Sequence, residues 1–367
     1  MKYLLTFKPL KNFFFGNDRT FTEDYVAISE YFPQNTQLLG AIRLFIAEQH
    51  KLMHVHKNGK YSNEPSKLKK LIGTASAKDF PTNSDLGMIQ NISQMFIVTK
   101  KLDDAYFPTP FDLEIGEASI RYYQLANIQN DYFLKDYDVK NVSSQKLGNK
   151  AFWSTYVQKE PLSLSDIEPF DYQKDSKTKQ EKGFFISHRQ VGIGLENKKT
   201  IEGAFYSKTD YQLNDNFLFA CLIELDEAII QDGIIQIGAE NSLFELKVIP
   251  YEDTKLQDHP VVTSLFQAPH ANEKLIAISE AMLEDTHRLD AYFSIIPFYK
   301  NFAMIDSERE SFTLPSKSKE YAKFKGKTDQ KRLIPKGSVI YLKSNMPRQP
   351  LGAYAKMGYN QFISAKN

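Results

Sequence analysis

The stretch from His188 to Ser207, HRQVGIGLENKKTIEGAFYS, is the feature that most constrains how this chain can fold. Gly192 and Gly194 are separated by one residue and predict a turn in which no Cβ keeps the backbone away from a ligand. Basic side chains lie on both sides of these glycines, namely His188, Arg189, Lys198 and Lys199. Cations around such a turn suit a phosphodiester backbone better than a small neutral molecule. The stretch therefore favours contact with RNA.

The composition indicates two domains and no covalent cross-links. A chain of 367 residues is longer than one ordinary hydrophobic core requires. Its 42% of hydrophobic and 25% of charged residues are typical of soluble globular proteins. The only cysteine, Cys221, stands in an apolar run, so we expect it to be buried, and a disulfide framework is excluded. No apolar run is long enough to span a membrane, and the N-terminal residues lack a signal-peptide cleavage site. We therefore expect a cytoplasmic protein without a membrane partner.

The charge balance limits how nucleic acid could be bound. A net charge of +1 argues against a free-standing nucleic-acid binder, for which a strongly basic surface is expected. Either positive charge is concentrated on one face, or RNA is held jointly with other subunits. We assign most of the 27 Phe and 20 Tyr residues to the core, and the remainder to base stacking or subunit contacts.

The N-terminal segment predicts a strand and then a helix. Met1–Phe7 has the apolar pattern of a strand, and Asn35 or Thr36 is expected to cap the helix. Three apolar residues of this helix are expected to face the core, namely Leu39, Ile42 and Ile46. Gly40 would allow the helix to pack closely on a sheet. Arg43, one turn beyond a helix start that favours anions, is expected to contact RNA or another subunit.

Later segments predict further strands and a protrusion. Ile92–Leu113 has the pattern of a hairpin, and the charged run 171–183 predicts either a mobile protrusion or a solvated loop. From Phe217 the pattern is strand, hairpin, helix and strand, with expected bounds Phe217–Leu225, Gly233–Pro250, His270–His287 and Asp290–Phe298. This order suits a ferredoxin-like α+β unit.

The central stretch also resembles a known family. The ordered residues that carry the resemblance are Arg189, Val191, Gly192, Ile193, Leu195, Thr200, Glu202, Gly203, Tyr206 and Ser207. They are similar to the glycine-rich segment of the RAMP superfamily, in particular the third subunit of the Cmr (type III-B) CRISPR effector complex, of the Cas-five-like group. Weaker blocks elsewhere resemble the same family, around Pro33–Arg43, Phe107–Leu113 and Pro335–Tyr341.

The resemblance implies an architecture and a set of partners. The fold would be α+β, with two ferredoxin-like (RRM-like) domains and a protruding thumb. Residues 1–183 would form the N-terminal RAMP domain, with the thumb insertion near 171–183, and residues 184–367 a C-terminal domain with a glycine-rich loop. The implied partners are CRISPR RNA with target RNA nearby, the large palm-domain subunit (Cmr subunit two) and the backbone subunit (Cmr subunit four). No cofactor or metal is implied.

Three functional hypotheses follow. The first is a non-catalytic subunit that holds the 5′ tag of CRISPR RNA and caps the effector backbone in antiviral defence. Its expected RNA-binding residues are Arg19, Asn35, Thr36, Arg43, His188, Arg189, Gly192, Gly194, Lys198, Lys199, Lys356 and Tyr359. The second is a guide-processing endoribonuclease, with His188 as general base and Arg189 stabilising the phosphorane. The third is a purely structural adaptor whose aromatic surface joins other subunits.

Two other kinds of site have little support in the sequence. His54 and His56 form a pair of potential ligands, but no second ligand cluster lies near them, so a zinc site is not predicted. Gly192 and Gly194 lack the third glycine and the following helix of a dinucleotide site, and no GxxxxGK[ST] loop occurs.

Overall fold

The chain is analysed in a computed structural model. The structure describes all residues except 17–24, 57–58, 63, 76–79, 81, 116–119, 130, 138–145, 161–169, 174–182, 197–198, 240–241, 268–273, 287–288, 303–304, 308–323, 328–330, 344–351 and 367. It describes the backbone alone at 25, 54–56, 59–61, 170–173, 193–196, 199–206, 301–302, 305–307 and 324–327. The charged run 171–183, predicted as a thumb, lies mostly outside the described residues.

The described elements are mainly strands. In chain order the strands are β1 (Lys2–Pro9), β2 (Tyr25–Ile28), β3 (His54–His56), β4 (Gly59–Tyr61), β5 (Ile89–Ile92), β6 (Phe96–Thr99), β7 (Ala105–Pro108), β8 (Leu113–Ile115), β9 (Ile120–Tyr122), β10 (Leu125–Ile128), β11 (Asp131–Leu134), β12 (Lys146–Gly148), β13 (Phe170–Gln173), β14 (Gly183–Glu196), β15 (Lys199–Leu213), β16 (Phe217–Leu225), β17 (Gly233–Gln236), β18 (Leu243–Pro250), β19 (Lys274–Ala277), β20 (Ala281–Met282), β21 (Ala291–Ile295), β22 (Lys300–Phe302), β23 (Ile305–Ser307), β24 (Phe324–Lys327), β25 (Lys331–Ile334), β26 (Val339–Leu342) and β27 (Phe362–Ala365).

Helices are fewer. The α-helices are α1 (Asn35–Gln49), α2 (Pro65–Ile72), α3 (Lys150–Gln158), α4 (Pro260–Ser264) and α5 (Leu283–Thr286). Short 3₁₀ turns cover Tyr251–Asp253, Lys255–Asp258 and Ala353–Met357. None of these described helices combines the length and the apolar character that a membrane crossing needs. The α+β class expected from the sequence is confirmed.

One large sheet organises the molecule. Its strand order is β17-β18-β1-β16-β6-β7-β12-β13-β14-β15-β2, with β5 beside β16. Strand β1 pairs antiparallel with β16 on one side and with β18 on the other, so that Leu4 lies between Leu222 and Ile249. The sheet therefore interleaves strands from residues 1–183 with strands from residues 184–367. The predicted division at residue 183 does not follow the strand pairing.

The apolar pattern of β16 explains why this strand lies at the centre of the core. Phe219, Cys221 and Ile223 pack in the hydrophobic cluster that includes the inner face of α1, whereas Ala220 and Leu222 pack in the cluster that includes α3. A strand buried on both faces needs a nearly continuous apolar run, which FLFACLIEL supplies. The predicted strand bounds and the burial of Cys221 are confirmed.

The start of α1 differs in detail from the expectation. The N-cap is Gln34, whose N–H donates to the Gln37 side chain at 3.4 Å, so Asn35 and Thr36 lie inside the first turn. The three residues expected to face the core are buried: Leu39, Ile42 and Ile46. Gly40, by contrast, is exposed, and a Cβ there would meet no atom within 4 Å. The prediction that Gly40 permits close helix–sheet packing is wrong, because it faces solvent.

The helix predicted over His270–His287 is also wrong. The described part of this segment forms β19, β20 and the four-residue α5. The apolar residues that suggested a helix are nevertheless buried: Leu275, Ile278, Ala281 and Met282. Strand β19 lies between β26 and β27 in a four-stranded sheet, where backbone pairing with two neighbours outweighs the local helical spacing.

A buried ion pair joins this smaller sheet to the central one. Lys274 of β19 donates to Asp112, which follows β7, with Nζ 2.7 Å from Oδ2, and both side chains are almost inaccessible to water. Tyr156 of α3 donates its hydroxyl to the other carboxylate oxygen at 2.8 Å, and the Lys274 ammonium lies 4.6 Å above the Tyr156 ring. A buried carboxylate is tolerated only with such partners.

We predict that Lys274→Met destabilises the fold by about 3–5 kcal/mol, because Asp112 would stay buried without its cation. Urea unfolding of the full chain measures this change. Lys247→Met is the matched control, since Lys247 also pairs with an aspartate, Asp232 at 3.1 Å, but in solvent. The control should change stability far less, because solvent screens an exposed ion pair. Equal effects of the two substitutions would contradict the role of the buried pair.

Candidate nucleic-acid interface

The segment predicted as a glycine turn is part of a long hairpin. Gly192 and Gly194 lie within β14, which pairs antiparallel with β15, and Gly192 stands opposite Tyr206. The register shifts between Ile193 and Leu195, at Gly194, as glycine in a strand often marks an irregularity. The prediction of a turn at these glycines is therefore wrong. Residues 197 and 198, and with them the candidate Lys198, lie outside the described residues.

The strand conformation separates the two basic residues that the sequence places side by side. Successive side chains of a strand point to opposite faces of the sheet. His188 stands opposite Asp210, and Arg189 opposite Thr209. The His188 and Arg189 side chains therefore lie on different faces of the hairpin and cannot act on the same phosphate.

The face that carries Arg189 is exposed and mostly apolar. Arg189 of β14 stands opposite Thr209 of β15, which in turn stands opposite Ile28 of β2. In the same way, Val191 is aligned through Ser207 with Val26. Val191, Val26 and Ile28 are 57%, 48% and 39% exposed, values unusual for β-branched apolar side chains on a sheet. We call the surface formed by Val26, Ile28, Arg189 and Val191 the hairpin face.

Arg189 is the cation of the hairpin face that remains available. Its Nε donates to Ser207 Oγ at 3.1 Å, which fixes the guanidinium along the sheet. Among the described residues, no carboxylate forms an ion pair with Arg189 and no acceptor bonds to its two Nη atoms. A guanidinium held at Nε with both Nη atoms available can bind a phosphate through two donors.

The opposite face is organised by a buried carboxylate. Asp210 accepts a hydrogen bond from Asn12 Nδ2 at 3.1 Å and lies 3.8 Å from the Lys208 ammonium. His188, which is half-buried on this face, has Nε2 3.3 Å from Gln212 Oε1. Because the carboxylate and the ammonium at the centre of this face offset each other, the face offers little net attraction for phosphate.

Arg43 has an internal structural role. Its Nη1 donates to the Ala75 carbonyl at 2.7 Å and its Nη2 to the Gly73 carbonyl at 3.0 Å, so the guanidinium joins α1 to the loop after α2. Burial lowers the pKa of Arg43, which the nearby Asp85 partly offsets. These bonds explain Arg43 without an RNA contact, and we leave it out of the proposed set.

The C-terminal candidates divide into one exposed and one buried residue. Tyr359, expected to stack on a base, is fully buried, with its ring 6.3 Å from that of Tyr354. Gly358 before it has φ +86°, and a Cβ there would lie 2.8 Å from the Gln94 backbone nitrogen. The prediction of a stacking ring at Tyr359 is therefore wrong, because this loop packs against the protein's own backbone. Lys356 is exposed.

The remaining candidates are placed as follows. Asn35 is buried and Thr36 half-buried in the first turn of α1. Lys199 begins β15 opposite Glu196, with only its backbone described, and Arg19 lies outside the described residues. Sequence reasoning missed the exposed side chains of Val26 and Ile28. Their alternation in the short run YVAI is the one signal that could have indicated a sheet face.

Comparison with known proteins agrees with the motifs in this hairpin. The sequence matches the family model described as "CRISPR-associated protein (Cas_Cmr3)" over residues 5–363. No curated protein sequence matches the chain. Similar solved structures include a chain of the Type III-B Cmr-beta bound to cognate target RNA. The two sequences are 15% identical, the match covers 99% of this chain and 96% of that chain, and the TM-score is 0.49. Another is a chain of the Type III-B Cmr-beta bound to cognate target RNA and AMPPnP, state 1, with 15% identity, the same two coverages and a TM-score of 0.48.

The family model spans nearly the whole chain, including the ordered residues around Arg189 on which the resemblance was based. That resemblance is confirmed: the chain belongs to the Cas_Cmr3 family, the third-subunit family of type III-B CRISPR effector complexes.

Proposed function

We propose that this chain is a non-catalytic RNA-binding subunit that holds the 5′ repeat-derived tag of CRISPR RNA and caps the backbone of a type III-B effector in the cytoplasm. The observation that carries the proposal is Arg189, an exposed guanidinium with both Nη atoms available on a long hairpin. An unpaired tag exposes its phosphates to such a cation and its bases to rings of neighbouring chains. The two ferredoxin-like domains of the family resemblance are part of the same proposal.

In the part of the chain that the structure describes, the hairpin extends beyond its two neighbouring strands. Strand β13 pairs with β14 only as far as Phe185, and β2 pairs with β15 only from Tyr206 to Thr209. Among the described residues, those from 193 to 205 pair only with each other. A two-stranded extension with a cation near its base can lie along a nucleic-acid strand while the large sheet holds it in place.

The charge of the chain supports joint binding of RNA. With 46 basic and 45 acidic residues, the chain has little long-range attraction for RNA, and affinity must come from local contacts. The three apolar side chains beside Arg189 suit a protein surface better than phosphate. We therefore propose that Cmr subunit two or Cmr subunit four covers Val26, Ile28 and Val191, and that Arg189 contacts the RNA at the edge of that interface.

A non-catalytic role is supported by the geometry of the hairpin. The endoribonuclease hypothesis needs His188 as general base and Arg189 at the developing phosphorane, within reach of the same phosphate. Their side chains lie on opposite faces of β14. His188 instead lies beside Gln212, and the carboxylate on its face, Asp210, is buried.

We predict that Arg189→Ala weakens retention of guide RNA in the assembled effector and lowers the salt dependence of retention. Loss of one phosphate contact on a single strand should reduce the slope of log affinity against log salt by about 0.7. Measuring bound guide RNA across a salt series tests both effects.

Two variants serve as controls for this prediction. Arg189→Lys should keep the slope, because the charge is retained, while losing affinity with the two-donor geometry. Arg121→Ala is the matched control, since Arg121 is an exposed arginine already paired with Glu114 at 2.7 Å. RNA occupancy that is the same in Arg189→Ala and Arg121→Ala would contradict the proposed contact.

We predict that the purified chain leaves repeat RNA intact during incubation without metal, since His188 and Arg189 lie on opposite faces of the hairpin. Gel analysis of labelled repeat RNA measures this. Cleavage that disappears in His188→Ala would establish the endoribonuclease instead.

A further inference from the structure

A second group of charges lies where the N-terminal and C-terminal parts of the chain meet. Glu30 and Phe32 lie between β2 and α1, Glu280 directly precedes β20, Lys300 begins β22, and Lys336 occupies the turn between β25 and β26. We call these five residues the Lys336 cluster. Each of them comes from a part of the sequence to which the RNA-binding motifs do not extend.

Two members of the Lys336 cluster satisfy each other. The Lys300 ammonium donates to Glu280, with Nζ 2.8 Å from Oε1. Burial alone would raise the pKa of Glu280, but Lys300 and Lys336 outweigh it and lower the pKa. Burial would likewise lower the pKa of Lys300, but Glu280 and Glu30 raise it above its usual value. This pair therefore stays charged.

Lys336 differs, because its ammonium has no acceptor. Among the described residues, none accepts a hydrogen bond from Lys336 Nζ or forms an ion pair with it, and its one close contact is the Phe32 ring, 4.7 Å below the ammonium. The side chain is half-buried, and burial lowers the pKa of Lys336 to about 8, helped by Lys300 and opposed by Glu280 and Glu30. An ammonium withdrawn from water without a hydrogen-bond partner destabilises a fold, so its presence points to a ligand.

The surroundings of the cluster indicate the kind of ligand. Phe298 and Tyr299, which immediately precede Lys300, are both exposed large side chains on the same connection. Lys300, which follows these two rings, pairs in register with Leu333 of β25. Exposed rings interspersed with cations bind single-stranded nucleic acid, since bases stack on the rings while cations hold the phosphates.

The cluster also continues the surface already described. Glu30 stands two residues beyond Ile28 of the hairpin face, and its N–H donates to the Phe15 carbonyl at 2.9 Å. Because Glu30 is close enough to oppose the burial that lowers the pKa of Lys336, the cluster lies near the end of β2.

We propose that Lys336 binds a phosphate group of an unpaired RNA segment, with Phe298 and Tyr299 stacking on the adjoining bases. The proposal rests on the proposed function, because the ligand is the same guide RNA, and it adds a second contact to the one at Arg189. The ligand is a ribose-phosphate strand rather than a free nucleotide, since Phe298 and Tyr299 are exposed rather than enclosed in a pocket.

The test is the Lys336→Met variant, assembled with its effector and a guide RNA that carries the repeat-derived 5′ tag. We expect weaker retention of the guide and a salt slope reduced by about 0.7, as for loss of one contact on a single strand. Lys343→Met is the matched control, because Lys343 is an exposed lysine beyond β26 that is already paired with Asp290 at 3.6 Å. The control should leave retention and slope unchanged.

Two further variants separate a ligand contact from a structural role. Lys336→Arg should keep the slope, and Phe298→Ala with Tyr299→Ala should weaken retention about tenfold without changing the slope. Thermal unfolding of Lys336→Met should match or exceed that of the parent chain, since an ammonium without an acceptor is removed. A marked fall in unfolding temperature would assign Lys336 a structural role and overturn the proposal.

The outcomes also distinguish this proposal from the proposed function. Unchanged guide retention and slope in a folded Lys336→Met variant would overturn the second contact, while loss of RNA in Arg189→Ala in the same assay would keep the function. No effect of either variant would overturn both. Impaired assembly with partner subunits and a normal RNA slope would identify an acidic protein surface as the ligand of Lys336, and so would also overturn the proposal.

Discussion

The pairing of β1 with two late strands is the constraint on which the rest of the structure depends. Strand β1 is hydrogen-bonded to β16 on one side and to β18 on the other, so the first residues of the chain close a sheet built largely from residues 217–250. Phe13, in the loop after β1, then pairs with Tyr211 at the base of the hairpin, with N–O distances of 2.8 and 3.1 Å. Through these non-local pairs, the large sheet positions the hairpin face, although its strands come from distant parts of the sequence.

Alternation along β14 decides which of the candidate residues can act. In a turn, His188 and Arg189 could have converged on a single phosphate, and the sequence is compatible with that arrangement. In a strand the two side chains point to opposite faces, so the neighbours on each face determine what each residue can bind. Arg189 meets apolar, exposed neighbours and keeps two donors available, whereas the face of His188 is dominated by the buried Asp210. The same local sequence therefore supports binding and argues against catalysis, and the difference arises from backbone conformation alone.

What could be predicted from the sequence was local, and what could not be predicted depended on distant partners. The run FLFACLIEL specifies a strand buried on both faces without further information, because no other element needs so continuous an apolar sequence. In the segment from Leu275 to Met282, every apolar residue would be buried either in a helix or in strands, so spacing could not separate the two. Arg43 and Tyr359 were misjudged for a related reason. The carbonyls that hold Arg43 and the packing that encloses Tyr359 come from segments that the local pattern does not identify.

Lys336 is a further residue whose surroundings could not be predicted from the local sequence. In sequence it ends a charged region and begins the block Pro335–Tyr341, but nothing local shows which residues surround its ammonium. Its character comes from Phe32, Glu30, Glu280 and Lys300, which the fold brings together from three other segments. A chain with nearly balanced charge cannot attract RNA through its overall field, so the position of a few cations decides where a strand can lie. Arg189, held by Ser207, and Lys336, held over Phe32, are fixed before any ligand arrives, and this lowers the entropy that binding must overcome.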